Sequence, residues 1–187
     1  MSSDFKIVGM NGFRKAKDLN DVILPVNFDE TRDAMKQNMK TRNDAIAYLK
    51  QGGCVGIFPG GTVSTAAKPM GQPMDPRWRN FTAKMVQKSE AEVVPIYFSG
   101  ANSRLFQLAS HAHYTLRMSL LIREFRKKLK KPVKMAVGQP IQPEQLLDFH
   151  GRPNEMMDFL RQQTYELALN PLPSMDYGYE FEEQYRN

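Results

Sequence analysis

Apolar residues along the chain form short continuous runs, separated by stretches in which they recur every three or four positions. Continuous runs predict strands, and the wider spacing predicts helices. The five predicted strands are residues 5–8, 21–26, 54–58, 93–98 and 133–137. Because helical stretches alternate with these strands, we expect an α/β fold with a mostly parallel central sheet flanked by helices.

Three helices have recognisable limits. The first is predicted over residues 31–50, with Asp29 available as its cap. The second is expected to begin at Asp75 and Pro76, and the third at Pro153. The apolar stripe of the first consists of Met35, Met39, Ile46 and Leu49. The apolar face of the second consists of Trp78, Phe81 and Met85, and that of the third of Met156, Phe159, Leu160 and Leu167.

Two segments lack a hydrophobic period. Residues 65–74 contain two prolines and a glycine, so we expect a loop, placed where it could act as a lid. The tail from Pro171 mixes aromatic and acidic residues. Two interpretations stay open for the tail: a loosely ordered terminus, or aromatic side chains that pack on the body or meet a partner.

Composition favours a single soluble domain. The 187 residues are 41% hydrophobic and 25% charged, which is sufficient for a core without disulfides. The one cysteine, Cys54, lies in a predicted buried strand, where core packing is its expected role, and a single thiol suits a reducing compartment. No apolar span approaches the roughly 18 residues that a membrane helix needs, and the first residues do not predict a signal peptide. We therefore expect a cytoplasmic protein whose membrane contact is peripheral, at the inner membrane face.

The basic residues are concentrated in one segment. Residues 117–134 contain eight lysines and arginines and one acid, Glu124, whereas the net charge of the whole chain is +6. Helical spacing places Arg123, Arg126, Lys127 and Lys130 opposite an apolar face, in a helix that Pro132 ends. That apolar face consists of Met118, Leu121, Ile122, Phe125 and Leu129.

A basic helix of this kind suits anionic lipid headgroups, an acidic carrier protein or nucleic acid. No aromatic residues interleave with the basic ones as in nucleic-acid sites, so a membrane surface or an acyl carrier is the favoured partner and nucleic acid is not expected. The expected contact residues are Arg123, Arg126, Lys127, Lys130 and Lys131. The alternative is a core-facing helix whose solvated side is basic.

A glycine pair follows the third predicted strand. The stretch runs Phe58, Pro59, Gly60, Gly61, Thr62, Val63 and Ser64. Backbone N–H groups at such a turn can face an anion or an oxyanion, and glycines let a ligand approach the main chain closely. The alternative is that two glycines only make a tight turn.

This stretch resembles the third sequence block of the glycerolipid acyltransferases, the family of lysophosphatidate acyltransferase, which has the pattern Phe-Pro-Glu-Gly-Thr-Arg-Ser. Gly60 stands in place of the Glu and Val63 in place of the Arg, so the chain is most similar to the hemolysin-like and ornithine-lipid acyltransferase branch. The run Val93 to Ile96 resembles the fourth block, and Gly100 to Phe106 resembles the segment after it. The resemblance covers residues 5–141, within one acyltransferase-like domain with a helical extension and tail at 142–187.

The resemblance implies transfer of a fatty acyl group from acyl carrier protein or coenzyme A, as co-substrate, to a lyso-lipid hydroxyl. It places residues 58–64 on the acceptor or oxyanion side, with no bound cofactor or metal. Without an Arg at Val63 we expect an acceptor whose headgroup is not a simple phosphomonoester, a lyso-ornithine-lipid or lysophospholipid-like molecule.

The family's base, a His followed by an Asp after four intervening residues, is missing. Five positions after His111, His113 and His150 stand Leu116, Met118 and Glu155. No catalytic residue is therefore assigned. We expect a shortened or split acyltransferase, and the alternative is a non-catalytic peripheral lipid-binding module with the same fold.

Two further residues are assigned to the acceptor side. Arg104 could hold a carboxylate or a headgroup, and Asn102 could orient a carbonyl. The simpler account is that Asn102 and Ser103 cap the helix that follows. His111 and His113 should lie on different faces of that helix, which makes a metal pair improbable. A shortened sheet would leave an exposed edge that pairing between copies could cover, so a homo-oligomer is also expected.

Overall fold

The computed structural model describes residues 5–10, 22–27 and 31–180. The chain divides into two compact units. Unit 1 comprises residues 1–59, 79–93 and 140–157, and unit 2 comprises residues 60–78, 94–139 and 158–187.

Unit 1 contains a three-stranded parallel sheet. Its strands are β1 (Phe5–Met10), β2 (Ile23–Val26) and β3 (Cys54–Gly56), in the order β2-β1-β3. Ile7 of β1 lies opposite Ile23 on one side and Gly56 on the other. Cys54 is exposed, so its predicted burial is wrong. β3 is a strand of three residues, and a thiol at its first position lies outside the core.

Two α-helices accompany this sheet, α1 (Arg32–Lys50) and α2 (Phe81–Ser89). Thr31 caps α1 by accepting a 3.1 Å bond from the Ala34 N–H, while Asp29 lies outside the described residues. The core of the unit combines Leu24, Ala45 and Met85 with Val8, Ile46, Leu49, Val55, Ile57 and Phe81. The predicted stripe of α1 is therefore half right, because Ile46 and Leu49 pack inward while Met35 and Met39 are exposed.

The start of α2 differs from the prediction. The helix begins at Phe81, with Asn80 at the N-cap position, and not at Asp75 and Pro76. The physical reason is that the Asp75 carboxylate accepts bonds from Ser64 and from the Trp78 indole and so does not cap a helix. Unit 1 is completed by a 3₁₀ helix (Pro143–Phe149) and by a bridge between Val93 and Ile141.

Unit 2 contains two antiparallel strand pairs. β4 (Thr65–Ala66) pairs with β5 (Pro73–Met74), and β6 (Ile96–Phe98) pairs with β7 (Met135–Val137). Its helices are α3 (Arg104–Ala112) and α4 (Tyr114–Lys128). The last helix, α5 (Pro153–Tyr165), belongs to unit 1 up to Met157 and to unit 2 from Asp158.

The fold prediction is confirmed only in its coarse form, a mixture of helices and strands. The described strands form three small sheets, of which one is parallel. The predicted run 93–98 contributes three residues to an antiparallel pair, since Pro95 has no N–H to donate to a longer ladder. Its predicted full burial is also wrong, because Ile96 and Phe98 are exposed on one face of the pair.

Candidate functional site in unit 2

The predicted anion-binding turn is divided between the two units. Phe58 and Pro59 belong to unit 1, where Phe58 is 66% exposed, and Gly60 to Ser64 belong to unit 2. Gly61 has φ +67°, a left-handed conformation that glycine adopts without strain. The tight-turn interpretation therefore accounts for the backbone of Gly61.

The hydroxyl groups around the turn bind partners inside unit 2. The Ser64 hydroxyl donates to the Asp75 carboxylate. The Thr65 hydroxyl donates to the Val63 carbonyl at 2.8 Å and accepts from Arg117 Nη1 at 2.8 Å. Thr62 Oγ1 lies 3.5 Å from Arg117 Nη2. Thr62 and Ser64 were expected on the acceptor side, and the hydroxyls around the turn instead contact groups of their own unit.

Arg117 is a buried cation that contacts the end of this turn. It projects from α4, is only 3% exposed, and also donates to Ser110 Oγ at 2.7 Å and to the Val63 carbonyl at 3.3 Å. Its guanidinium lies 4.9 Å from the centre of the Phe106 ring. Arg117 therefore does not belong to the exposed basic surface, although it lies within the basic segment.

Asp75 joins the other side of the turn. Its second carboxylate oxygen accepts a 3.0 Å bond from Trp78 Nε1. A Cβ atom at Gly60 would lie 3.3 Å from the Asp75 carboxyl carbon, a tight contact that a shift of a few tenths of an ångström would relieve. Burial, together with the negative charge of Asp75, raises the pKa of Tyr97 and Tyr165.

The first part of the tail is ordered as a strap, which we define as residues 174–180. Its Gly178 and Tyr179 N–H groups donate to the carbonyls of Asp75 and Thr65, at 2.8 and 3.0 Å. Arg161 donates to the carbonyls of Met175 and Asp176, at 2.7 and 2.9 Å. The loosely ordered alternative is therefore wrong up to residue 180, and residues 181–187 lie outside the described chain.

Arg104 and Asn102, which were assigned to the acceptor side, also bind groups of unit 2. Arg104 Nη1 donates to the carbonyls of Met70 and Gly71, at 2.9 and 3.1 Å, and so holds the connection between β4 and β5. The ends of the predicted lid are thus paired strands. Asn102 Oδ1 accepts a 2.6 Å bond from Lys128 Nζ. Ser103 caps α3, as the simpler account predicted.

The two neighbouring histidines have separate surroundings. His111 Nε2 lies 2.9 Å from the Ala66 carbonyl, and its ring lies 4.5 Å from the Tyr179 ring. His113 lies between α3 and α4, where its ring nitrogen accepts from the Thr115 N–H at 3.1 Å. The expectation that both lie on α3 is wrong, because α3 ends at Ala112.

Glu124 fastens α4 to the start of α3. Its carboxylate accepts from the Ser103 N–H at 3.0 Å and from the Ser103 hydroxyl at 2.7 Å. Burial opposes the charged form, but these bonds and the charges of Lys127 and Lys128 hold the pKa of Glu124 below its usual value of 4.5.

Replacing Glu124 with glutamine should lower the free energy of unfolding by about 1–3 kcal/mol at neutral pH, because a charged acceptor is lost. A carboxylate with a lowered pKa stabilises the fold above its unfolded pKa and ceases to do so as the pH falls through its folded pKa. The difference between E124Q and the unchanged protein should therefore shrink below about pH 4.5. Urea denaturation across this range measures it, with the exposed Glu92→Gln as control. A pH-independent difference would contradict the prediction.

The outer side of α4 combines apolar and basic residues. Met118, Ile122 and Phe125 fall within an arc of about 60° at 3.6 residues per turn, and Arg123, Arg126 and Lys127 occupy the next arc. All six are exposed, Ile122 by 60% and Phe125 by 65%. We call these six residues the α4 outer face. The inward side contains Arg117 and Glu124, so the core-facing alternative for the apolar residues is wrong for these three.

The helix is also shorter than predicted. α4 ends at Lys128, with Leu129 as its C-cap, and Pro132 lies beyond the end. Lys130 and Lys131 therefore lie in the connection to β7, and Lys130 has φ +61°. Both lysines are exposed.

The sequence did not predict that Asp75, Arg117 and Gly178 organise this region. Asp75 is 11 positions from Ser64, Arg117 is 52 positions from Thr65, and Gly178 follows Asp75 by more than a hundred. None of these spacings belongs to a local motif. Only an alignment of homologues or a structure brings such residues together.

Within the part of the chain that the structure describes, every helix is too short or too polar to cross a bilayer. No protein-family model, no curated protein and no solved structure matches the chain.

Proposed function

We propose that this chain is a peripheral module that binds anionic lipid bilayers through the α4 outer face. The observation that carries the proposal is that α4 exposes its apolar strip directly beside its basic strip. An interfacial helix needs this arrangement, because its apolar side chains enter the boundary of the acyl chains while its cations meet anionic headgroups.

The packing of α4 presents this face outward. Arg117 and Glu124 on its inward side are held by hydrogen bonds to Thr65, Ser110 and Ser103. In an ordinary surface helix an apolar inward face attaches the helix to the core. In α4 these hydrogen bonds attach the inward side. The apolar residues of α4 are consequently available to a partner. The neighbouring α3 also exposes two apolar side chains, Leu105 and Leu108.

A bilayer fits this face better than an acidic carrier protein does. A carrier would be recognised mainly by charges at a rim, which contribute little free energy each. The apolar strip requires a partner that buries it, and burying the surface that Ile122 and Phe125 still expose contributes roughly 1–2 kcal/mol each.

Acyl transfer to a lyso-lipid stays a prediction that rests on the family resemblance. The contacts of the turn do not strengthen it, because Ser64 and Thr65 bind Asp75 and Arg117. Incubating the chain with an acyl thioester and a lyso-lipid, and measuring the diacyl product, tests that prediction separately from membrane binding.

The proposal is tested by co-sedimentation with vesicles of phosphatidylcholine alone and with 30% phosphatidylglycerol. Binding should require the anionic lipid. It should also weaken as salt is added, because the Debye length is only about 8–10 Å at roughly 0.1–0.15 M ionic strength. Changing Arg123, Arg126 and Lys127 together to glutamine should reduce affinity roughly 100-fold, since each cation contributes about 1 kcal/mol near an anionic surface. Changing Ile122 and Phe125 to alanine should reduce binding while leaving salt dependence in place.

The matched control changes three exposed lysines of α1, Lys36, Lys40 and Lys50, to glutamine. This variant has the same net charge as the α4 triple variant and should bind like the unchanged chain. Equal loss in both variants would show that only net charge matters and would overturn the assignment to α4. Absence of binding to anionic vesicles at low salt would overturn the function itself.

A further inference from the structure

The outer side of the β6–β7 pair is an apolar surface open to solvent. Its six residues follow the two-residue alternation of the strands, and each is 41–68% exposed. We call them the outer β-face: Val94, Ile96, Phe98, Val133, Met135 and Val137. Ile96 lies directly opposite Val137, and Phe98 lies opposite Met135, so the central four residues form two cross-strand pairs.

The inner side of the same strand pair is covered within unit 2. The Tyr97 ring meets the Tyr165 ring edge-on, with the two centroids 5.8 Å apart. A Cβ atom at Gly138 would lie 2.8 Å from Pro95 Cγ and 3.0 Å from Leu167 Cδ1. Strands that are apolar on both faces are typical of sheets buried on both sides. The pair has that composition, but the described residues cover only one of its faces.

The size of the outer β-face suits an interface between two copies of the chain. The exposed fractions leave roughly 550 Å² of accessible surface on this face of each copy, at about 160–240 Å² for a whole residue of these types. Two such faces would bury about 1,100 Å² in total, just above the roughly 1,000 Å² that a specific interface needs.

A second copy fits this face better than a bilayer or an unrelated protein does. None of the six residues carries a charge, so the face itself cannot select an anionic headgroup or a charged partner. Lys134 stands between Val133 and Met135 in the chain, but it lines a cleft together with Tyr97 and Ser99, which alternate with the outer residues. A two-fold axis places the same apolar surface opposite the face, and side chains on two such sheet faces can interdigitate.

We propose that two copies of the chain associate by packing their outer β-faces together around a two-fold axis. The homo-oligomer expected from the sequence would then form through a sheet face and not through an open edge. The proposal goes beyond membrane binding and does not rest on the α4 outer face. Because the buried area is small, we expect a dissociation constant of about 1–100 μM.

Sedimentation equilibrium at about 1–200 μM chain measures the association. The unchanged chain should pass from monomer to dimer over this range, and added salt should not weaken the dimer, because apolar burial is not screened. Met135→Lys should weaken dimerisation at least about tenfold, since it places two like charges in an apolar contact. Phe98→Gln, a second and uncharged variant, should also weaken it. Both should leave the melting temperature of the dilute monomer unchanged, because both residues are exposed there.

Met39→Lys is the matched control for Met135→Lys. Met39 on α1 is 55% exposed and Met135 is 59% exposed, and the two substitutions add the same charge. The control should dimerise like the unchanged chain. Equal loss in both variants would show that net charge alone opposes association and would overturn the interface. A chain that stays monomeric at the highest concentration would overturn the dimer itself.

Two further measurements separate the outer β-face from α4 and from the bilayer. In a mixture of isotope-labelled and unlabelled copies, intermolecular NOEs should reach the methyl groups of Ile96 and Val137, and NOEs confined to Ile122 would assign the dimer to α4 and overturn the proposal. The α4 triple variant should dimerise normally even where it fails to bind vesicles. Met135→Lys should still bind anionic vesicles. A monomeric chain whose vesicle binding is lost in Met135→Lys would identify the bilayer as the occupant of this face and overturn the second copy.

Discussion

Replacing Arg117 with methionine is expected to lower the free energy of unfolding by about 3 kcal/mol. The guanidinium is buried and donates to Ser110, Thr65 and the Val63 carbonyl, so its removal takes a charged donor away from all three inside unit 2. Methionine fills a similar volume, which keeps cavity formation from dominating the result. Chemical denaturation measures the change.

The control for Arg117 lies on the same helix. Arg123→Met removes the same charge from an exposed position and should change stability by less than about 0.5 kcal/mol. Arg117→Lys should lower the free energy of unfolding by less than Arg117→Met but should still be destabilising, because an ammonium lacks the planar fork that reaches several acceptors at once. Comparable destabilisation by the Arg117 and Arg123 variants would show that the buried hydrogen bonds are not what holds this region together.

Replacing Gly178 with alanine should cost about 3 kcal/mol or detach the strap. The added Cβ would lie 1.9 Å from the Met74 carbonyl oxygen and 2.5 Å from that of Thr65, and both obstacles are backbone atoms. The clash can be relieved only by moving the strap, which breaks the bonds from Gly178 and Tyr179 to β4 and to Asp75. Hydrogen exchange at the amides of residues 178 and 179 measures the detachment directly.

Gly60→Ala provides a graded comparison for Gly178. Its Cβ would approach the Asp75 side chain at 3.3 Å, so a shift of a few tenths of an ångström relieves the contact. We expect a cost below about 1 kcal/mol and unchanged exchange in the strap. If G178A leaves both stability and exchange unaltered, the strap is not packed against β4 and β5 as described.

Much of the helical structure could be predicted from sequence, because caps and spacing are local. Residues 31–50 form α1 to within one residue, and Pro153 begins α5. The structure also has strands at the predicted positions 5–8, 54–58 and 133–137, although each observed strand differs in length from its prediction. Strand pairing was not predictable, since it depends on contacts between residues far apart in the chain.

The glycine turn shows the same difference between local features, which the sequence predicts, and long-range contacts, which it does not. Glycine at 61 follows from a left-handed φ, which is a property of the backbone at that residue. The use of the nearby hydroxyls does not follow from the local sequence, because their partners Asp75 and Arg117 come from other elements. A motif identifies groups that can bind an anion, but only the fold determines whether those groups are already paired.

By itself the sequence determined that residues 117–134 carry the basic charge and that part of this segment forms a helix with one apolar and one basic side. Only the tertiary structure decided which side is outside. Periodicity marks a face of a helix without specifying what the face contacts, and here Arg117 and Glu124 find hydrogen-bond partners in the interior. Those bonds turn α4 so that Met118, Ile122 and Phe125 are exposed beside the basic strip.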